Sequence, residues 1–292
     1  MTNPLLSIII PTHNSEPTIQ RCIQSLISQS YPREKFEIIV MDDGSTDRTV
    51  EIAKSTGADY IVTIDPCSVS HARNKGVENS NANLLAFIDS DCEAKNGWVE
   101  AIIEELKSTH VMTGPIENGN PQSLVAWSEY FIEFGGFHEF KKRSYVRFFP
   151  GCNGACTKEA FLKAGGFKDL RISEDVLFGE SLRQAGINVL FVPNAKIQHL
   201  CRTDLNKVRS NLKLLGKYTV RSRRMSTLIP YSSLMSRWFV PVIFFGKFVK
   251  SGNYAVKSKK LSKFLHVSPY VILGIASFCR GIWEALGEES KK

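Results

Sequence analysis

In this chain of 292 residues, acidic residues stand where apolar runs end, and their spacing suits the binding of a diphosphate and a cation. Asp42-Asp43-Gly44-Ser45-Thr46-Asp47 follows the run Phe36 to Met41. Carboxylates at a strand end can accept hydrogen bonds from a ribose or a base, with Gly44 making the turn and Asp47 starting the next helix. An ordinary Asp-Gly turn with a helix cap has the same sequence. Asp89-Ser90-Asp91 follows Leu84 to Ile88. Alternation along an extended chain puts its two carboxylates on one side, where both can face a divalent cation and a diphosphate, or simply water. Between the two acidic sites, His71-Ala72-Arg73-Asn74-Lys75-Gly76 opens a helix. Arg73 offers a planar fork suited to a diphosphate, and the helix N-terminus adds a field that favours an anion. A surface arginine paired with a nearby acid is the plainer account. Glu174-Asp175 is a further acidic pair. Adjacent carboxylates disfavour double ionisation, which raises one pKa toward the working range of a proton acceptor. An acidic pair at a helix N-terminus behind the cap Ser173 is the structural alternative.

The elements that must position these residues alternate regularly. Leu5 to Ile10 reads as a buried strand stopped by Pro11. Thr18 to Ser28 places Ile19, Cys22, Ile23, Leu26 and Ile27 at helical spacing, and Phe36 to Met41 is a second strand. Thr49 to Ser55 is helical, Tyr60 to Ile64 a strand, Ser70 to Asn79 a helix and Leu84 to Ile88 a fourth strand. This alternation predicts an α/β fold in which a parallel sheet carries helices on both faces and ligands bind at the carboxyl ends of the strands. Further on, Trp98 to Lys107 is an amphipathic helix, Val111 to Gly114 a strand, and Pro121 to Phe140 is rich in aromatics. Glu159 to Ala164 and Val176 to Gln184 read as helices, and Asn188 to Val192 as a strand.

Composition bounds the rest. With 43% hydrophobic and 23% charged residues, the chain is globular rather than disordered or collagen-like. Seven cysteines without a Cys-x-x-Cys spacing indicate neither a disulfide framework nor a structural zinc site, which suits a reducing cytoplasm. The N-terminus has no basic region followed by a long apolar run, so no secretory signal is expected. The net charge of +8 conceals an asymmetry. Residues 201–292 hold 18 Lys and Arg against 4 Asp and Glu, leaving 19 basic and 25 acidic residues in 1–200. Arg202, Lys207, Arg209, Lys213, Lys217, Arg221, Arg223 and Arg224 precede apolar stretches at 225–236, 238–246 and 264–279. Basic residues beside apolar stretches favour an anionic membrane surface over nucleic acid.

Taken together, the motifs resemble glycosyltransferase family 2, whose fold is called GT-A. The resemblance is carried by Ser7 to Asn14 with Glu16, by Asp42 to Asp47, by Ala72-Arg73-Asn74, by Asp89-Ser90-Asp91, and by Gly165-Gly166-Phe167 followed by Ser173-Glu174-Asp175. It covers roughly residues 5 to 202. It implies a GT-A (Rossmann-like), mostly parallel sheet flanked by helices over 1–202, with a nucleotide-sugar half at about 1–115 and an acceptor half at about 116–202. A helical, basic, membrane-associating region follows at 203–292. Pro11, Glu16 and Asp43 would line the nucleoside pocket, with Arg73 and Asp89 also on the nucleotide-sugar side. Asp89, Asp91 and His199 would hold Mn2+ or Mg2+, although a capping or core histidine fits His199 as well. Asp175 would be the base that takes the acceptor proton, supported by Glu174, with inversion at the anomeric carbon. The segment 151–158, with Asn153 and Cys152, would lie beside the acceptor. His13 stands where tyrosine is more usual, and Ser173 where glycine is frequent. Trp127, Tyr130 and Phe131 are candidates for stacking on a sugar or lipid, with core packing as the default.

The expected activity is metal-dependent transfer of a single sugar from a nucleotide-sugar donor, a UDP-sugar foremost, to a hydroxyl of a glycan, itself lipid-linked, in cell-surface polysaccharide synthesis. The absence of Gln-x-x-Arg-Trp argues against processive polymerisation. The competing expectations are a polyprenyl-phosphate glycosyltransferase, which needs no general base, and a catalytically silent nucleotide-sugar-binding scaffold at the membrane. A nucleic-acid-binding module rests only on the pI and is disfavoured by where the basic residues cluster. No apolar stretch gives a clean span of about 20 residues. Phe264 to Cys279 has 16 residues, with His266 and Pro269 among them. The tail is therefore expected to form amphipathic interfacial helices or a shallow hairpin at the cytoplasmic face of the plasma membrane, against the alternative of a soluble helical subdomain.

Overall fold

Seven consecutive buried residues make Leu6–Thr12 the centre of a sheet (β1). The structure is a computed structural model that describes residues 4–226 and 236–289. After β1 come α1 (Ile19–Ile27), β2 (Phe36–Asp42), α2 (Thr49–Thr56), β3 (Tyr60–Thr63), α3 (Val69–Glu78) and β4 (Leu84–Ile88). Then follow β5 (Cys92–Ala94), α4 (Trp98–Glu105), β6 (Val111–Thr113), β7 (Ile116–Asn118), α5 (Leu124–Glu133), β8 (Ser144–Val146) and β9 (Asn153–Thr157). The remainder is α6 (Lys158–Lys163), α7 (Glu174–Gln184), β10 (Val189–Phe191), β11 (Ile197–His199), α8 (Leu205–Met225), α9 (Val240–Lys257) and α10 (Leu261–Glu289).

The chain divides into two compact units, residues 1–115 with 142–199 and residues 116–141 with 200–292. The first unit holds an eight-stranded sheet in the order β3-β2-β1-β4-β9-β6-β10-β8. β1, β2, β3 and β4 pair in parallel, as the alternating pattern predicts. Strand β1 continues through Pro11 because β4 pairs only with Leu6 to Ile9, so the missing N–H falls where no ladder bond to β4 is needed. The chain runs outward from β1 to β3 and returns on the other side of β1 as β4. This reversal opens a crevice at the carboxyl ends of β1 and β4, where α/β sheets bind ligands.

The far half of the sheet is mixed. β9 lies antiparallel between β4 and β6, and β8 is antiparallel to β10. β9 places the expected acceptor segment 151–158 in the middle of the sheet. Its Gly154 admits the Phe149 ring so closely that a Cβ there would stand 2.2 Å from it. Phe87, Phe149, Phe161, Phe167 and Phe178 form the aromatic core of this unit.

The second unit has its own apolar core. α10 buries Phe264, Val267, Val271, Ile275, Phe278, Ile282 and Ala285, a spacing of three and four that keeps one face inward over the whole helix. That continuous stripe explains why the helix runs 29 residues through Pro269 where a 16-residue stretch was expected. α8 meets it at glycines. A Cβ on Gly216 would stand 2.0 Å from the Phe278 carbonyl oxygen, and one on Gly281 would stand 1.9 Å from that of Lys213. α10 is the one described helix long and apolar enough to cross a membrane, and half of its apolar window is buried within the protein.

Residues 116–141 join this helical unit, whereas the sequence resemblance places them in the acceptor half of the catalytic part. Trp127, Tyr130 and Phe131 sit in its core, which is the default assigned to them. Of the expected apolar stretch at 225–236, residues 227–235 lie outside the described residues. All seven cysteines are free.

Candidate active site

Two loops close the carboxyl ends of β1 and β2 by bonding to each other. Asn14, with φ +50°, donates its N–H to Ser45 Oγ at 2.9 Å and accepts from the Thr46 N–H at 2.9 Å. Asp47 accepts from the Thr49 N–H at 3.0 Å and from the Glu16 N–H at 3.2 Å. The Glu16 carboxylate receives Arg48 Nε at 2.8 Å, and this bonding holds its pKa below the usual glutamate value. Pro11 is buried in β1. Asp43 faces the loop after β3, accepting from the Cys67 N–H at 2.7 Å. Beside it, Thr63, Ile64, Asp65, Pro66, Cys67 and His71 line an open cleft of about 590 Å³. Pro11 and Asp43 therefore stand at the carboxyl ends of β1 and β2, while Glu16 is engaged with Arg48.

Arg73 is the hub of the crevice. It lies on α3, whose first turn is capped by Ser68 accepting from the His71 N–H. Arg73 is 2% exposed, bonds Asp89 at 2.6 Å through one terminal nitrogen and bonds Glu174 through the other. Burial alone would lower its pKa, but the Asp89 and Glu174 carboxylates outweigh that and raise it. Its guanidinium carbon stands 5.4 Å from the centroid of Phe167. The neighbouring Asn74 fixes that ring's backbone, donating to the Phe167 carbonyl at 2.8 Å and accepting from the Phe167 N–H at 3.0 Å. The Ala-Arg-Asn and Gly-Gly-Phe motifs thus form one physical unit. Gly151 closes over the guanidinium, where a Cβ would come within 2.7 Å of three of its atoms.

Glu174 and Asp175 open α7 two residues earlier than the apolar pattern indicates, where the helix N-terminus favours their charge. Ser173 occupies the cap position but makes no side-chain cap bond, contrary to the sequence expectation. It sits at φ +70°, a left-handed conformation that costs a non-glycine residue about 1–2 kcal/mol. Glycine would take that conformation freely at this position. Burial raises the Glu174 pKa against the pull of Arg73. Burial likewise raises Asp175, although it keeps an edge open to solvent, with Arg73 again opposing. Asp175 accepts from the Val176 N–H at 2.8 Å.

His199 reaches the site through a short ladder. β11 runs antiparallel to β5 with His199 opposite Cys92, which sets His199 Nε2 3.5 Å from Asp91 Oδ1. The possible ligand atoms of Asp91, Cys92 and His199 lie within 4.8 Å of one another. A carboxylate and an imidazole this close suit a divalent cation such as Mn2+. Burial keeps the Cys92 thiol protonated by raising its pKa well above the ordinary value, so Asp91 and His199 are the stronger donors. Asp89 is turned to Arg73 and stands outside this cluster, although its side chain remains 32% exposed.

Asn153 departs from expectation. It is 2% exposed, accepts from Trp98 Nε1 at 2.8 Å, and donates to the Pro115 and Ala195 carbonyls at 3.1 and 3.0 Å. With both amide hydrogens donated, its oxygen engaged and almost no exposure, it braces β9 and is turned away from any acceptor. The closure of Gly151, the first residue of the expected acceptor segment, over Arg73 went unforeseen, as did the Arg73–Glu174 pair, which joins residues 101 apart.

Residues 7–165 match the family described as glycosyl transferase family 2. The chain belongs to glycosyltransferase family 2. Among curated family relatives, Glycosyltransferase AglE of Haloferax volcanii is 37% identical over 136 residues, which are 44% of this chain and 45% of that protein. Probable glycosyltransferase YdaM of Bacillus subtilis is 26% identical over 66% of this chain and 50% of its own length. The family 2 chain thus spans about half the length of these relatives. A mannosyltransferase from Pyrobaculum calidifontis, solved in complex with GDP-Man and Mn2+, superposes with a TM-score of 0.65 at 14% identity, covering 99% of this chain and 89% of that one. S. aureus TarS 1-349 in complex with UDP-GlcNAc gives 0.55 at 16% identity, covering 98% and 92%. These likenesses establish the GT-A fold of this family 2 chain.

Proposed function

We propose that this family 2 chain moves a single sugar from a nucleoside-diphosphate donor, a UDP-sugar foremost, to a hydroxyl of a lipid-linked glycan, with inversion at the anomeric carbon. The observation that carries this reading is the convergence of Arg73, Asp89, Asp91, Glu174, Asp175 and His199 at the carboxyl ends of the strands, beside the Asp43 cleft.

Each residue has a task that follows from its surroundings. Asp43 and the cleft along 63–67 receive the nucleoside. Asp91 and His199 would hold a divalent cation, whose charge, when bound, offsets the negative charge that develops on the departing diphosphate. Arg73 aligns Asp89 and Glu174 by its two bonds and adds positive potential at the crevice. Asp175 accepts the acceptor's hydroxyl proton as the oxygen attacks, and the raised pKa improves it as a base. The setting we propose is the cytoplasmic face of an anionic membrane, supported by the basic charge of residues 201–292 and by the apolar helix α10.

Equilibrium binding of UDP, GDP and dTDP tests the donor side of this reading. One of the three should bind with Mn2+ present and weaken at least about tenfold in EDTA, matching the loss of a cation-bridged diphosphate contact. Failure of all three to bind in either condition overturns it.

A further inference from the structure

Helix α9 is apolar on its exposed side as well as on its packed one. An amphipathic helix normally buries its apolar stripe and exposes its charges. On α9, Val242, Phe245, Val249 and Val256 point outward, at steps of three, four and seven residues that define one stripe. Phe245 and Val249 are each 67% exposed, and Trp238 in the turn before the helix is 90% exposed. The inward side packs Ile243, Phe244 and Phe248 against the core of this unit and also carries Lys247, whose Nζ stands 4.2 Å from the centroid of Phe278, with the buried Ser251 and Ala255. α10 repeats the arrangement, with Leu261, Leu265 and Ile272 exposed and its other face in the same core.

Cationic groups flank these stripes. Lys250 and Lys257 are exposed on α9, and Arg237 stacks 4.9 Å from the centroid of the half-exposed Trp283. Tryptophan beside a cation is the composition of the boundary between lipid headgroups and acyl chains. A second stripe this apolar, left facing outward on a helix whose other face is already packed, fits surroundings that are apolar in the middle and anionic at the margin.

We propose that the outward stripe of α9, with Trp238 at its head, is the surface by which this chain seats in an anionic lipid bilayer. Val242, Phe245 and Val249 enter the acyl boundary, and Lys250, Lys257 and Arg237 meet the headgroup phosphates. The proposal deepens the membrane clause of the proposed function and rests on it, while owing nothing to the transfer chemistry. Charge selects lipid as the occupant, since the C-terminal 92 residues carry 18 basic against 4 acidic groups.

The test is co-sedimentation of the full chain with phosphatidylcholine vesicles, with and without phosphatidylglycerol. Wild type should bind the anionic vesicles, several-fold less at 0.5 M salt than at about 0.1 M. The variant Phe245→Asp/Val249→Asp should lose at least about tenfold in partitioning, because two apolar side chains leave the lipid and two charges oppose the headgroups. Nucleoside-diphosphate binding of the variant should match wild type, which shows that the chain is folded and keeps this test separate from the donor reading. Ser262→Asp, a like charge at an exposed polar position of α10, should cost clearly less. Equal binding by the double variant and wild type overturns the proposal. So does an absence of vesicle binding by wild type, or a wild-type dimer that the double variant converts to monomer with vesicle binding unchanged, which assigns the stripe to a second copy of the chain.

Discussion

Asp175→Asn should lower sugar transfer by about 10²–10⁴-fold, the usual contribution of a positioned general base, without lowering the melting temperature. Asparagine keeps an oxygen to accept the Val176 N–H that Asp175 Oδ1 receives at 2.8 Å, so the first turn of α7 retains its local bond. The variant also removes a charge from a place that disfavours it. Burial raises the Asp175 pKa, so the native state binds its proton more tightly than the unfolded chain does. As pH rises through that window the wild type loses stability from this group, and the asparagine variant does not. Its melting temperature at neutral pH should therefore equal or exceed that of wild type. The same shift places the acidic limb of the wild-type pH–rate profile above the ordinary aspartate value of about 3.9. The checks are kcat/KM against pH for wild type, and turnover with thermal melts for the variant. Undiminished transfer by Asp175→Asn points instead to an acceptor that arrives ionised, as the polyprenyl-phosphate alternative requires.

Arg73→Met should produce the largest loss of stability, about 3–5 kcal/mol by chemical denaturation, as expected when one member of a buried ion pair is removed. The guanidinium is enclosed by Asp89, Glu174, Phe167 and Gly151, and its replacement leaves the 5%-exposed Glu174 without its counter-charge. The pH dependence has a definite sign. Arg73 opposes the burial that raises Glu174 and Asp175, so without it both pKa values rise further. The native state then holds extra protons relative to the unfolded chain, and stability falls as pH rises from the ordinary carboxylate range toward neutrality. The destabilisation should be smaller at pH 5 than at pH 8. Arg73→Met/Glu174→Gln should recover part of the loss, because the stranded charge is gone. A loss below about 1 kcal/mol at both pH values contradicts the role of Arg73 as the hub.

The parts legible in the sequence share a physical cause. β1 to β4 and α1 to α4 announce themselves through apolar runs and 3.6-residue stripes, and Asp43, Asp89 and Asp91 follow the strands that carry them. What stayed hidden depends on contacts between distant segments. β9 consists of Asn153, Gly154, Ala155, Cys156 and Thr157, small residues without alternation, because Phe149 fills the space above Gly154. Asn153 looks like an exposed polar residue until Trp98, Pro115 and Ala195 are seen to hold both ends of its amide. β5 and β11 are three residues each, too short for a period, yet their register is what brings His199 to Asp91. The affiliation of 116–141 with the helical unit follows from α5 packing on α9 and α10, which no local pattern encodes.

On the proposed function, this constellation turns over a nucleotide sugar with a cation held by Asp91 and His199. Release of nucleoside diphosphate from a panel of UDP-, GDP- and dTDP-sugars, measured with membrane extract as acceptor source, tests it most directly. Wild type should release nucleotide from one donor with Mn2+ or Mg2+, and EDTA or Asp91→Asn should reduce that rate by at least about 10²-fold. Release that continues unchanged in EDTA and in Asp91→Asn rules out a cation held by Asp91 in the reaction.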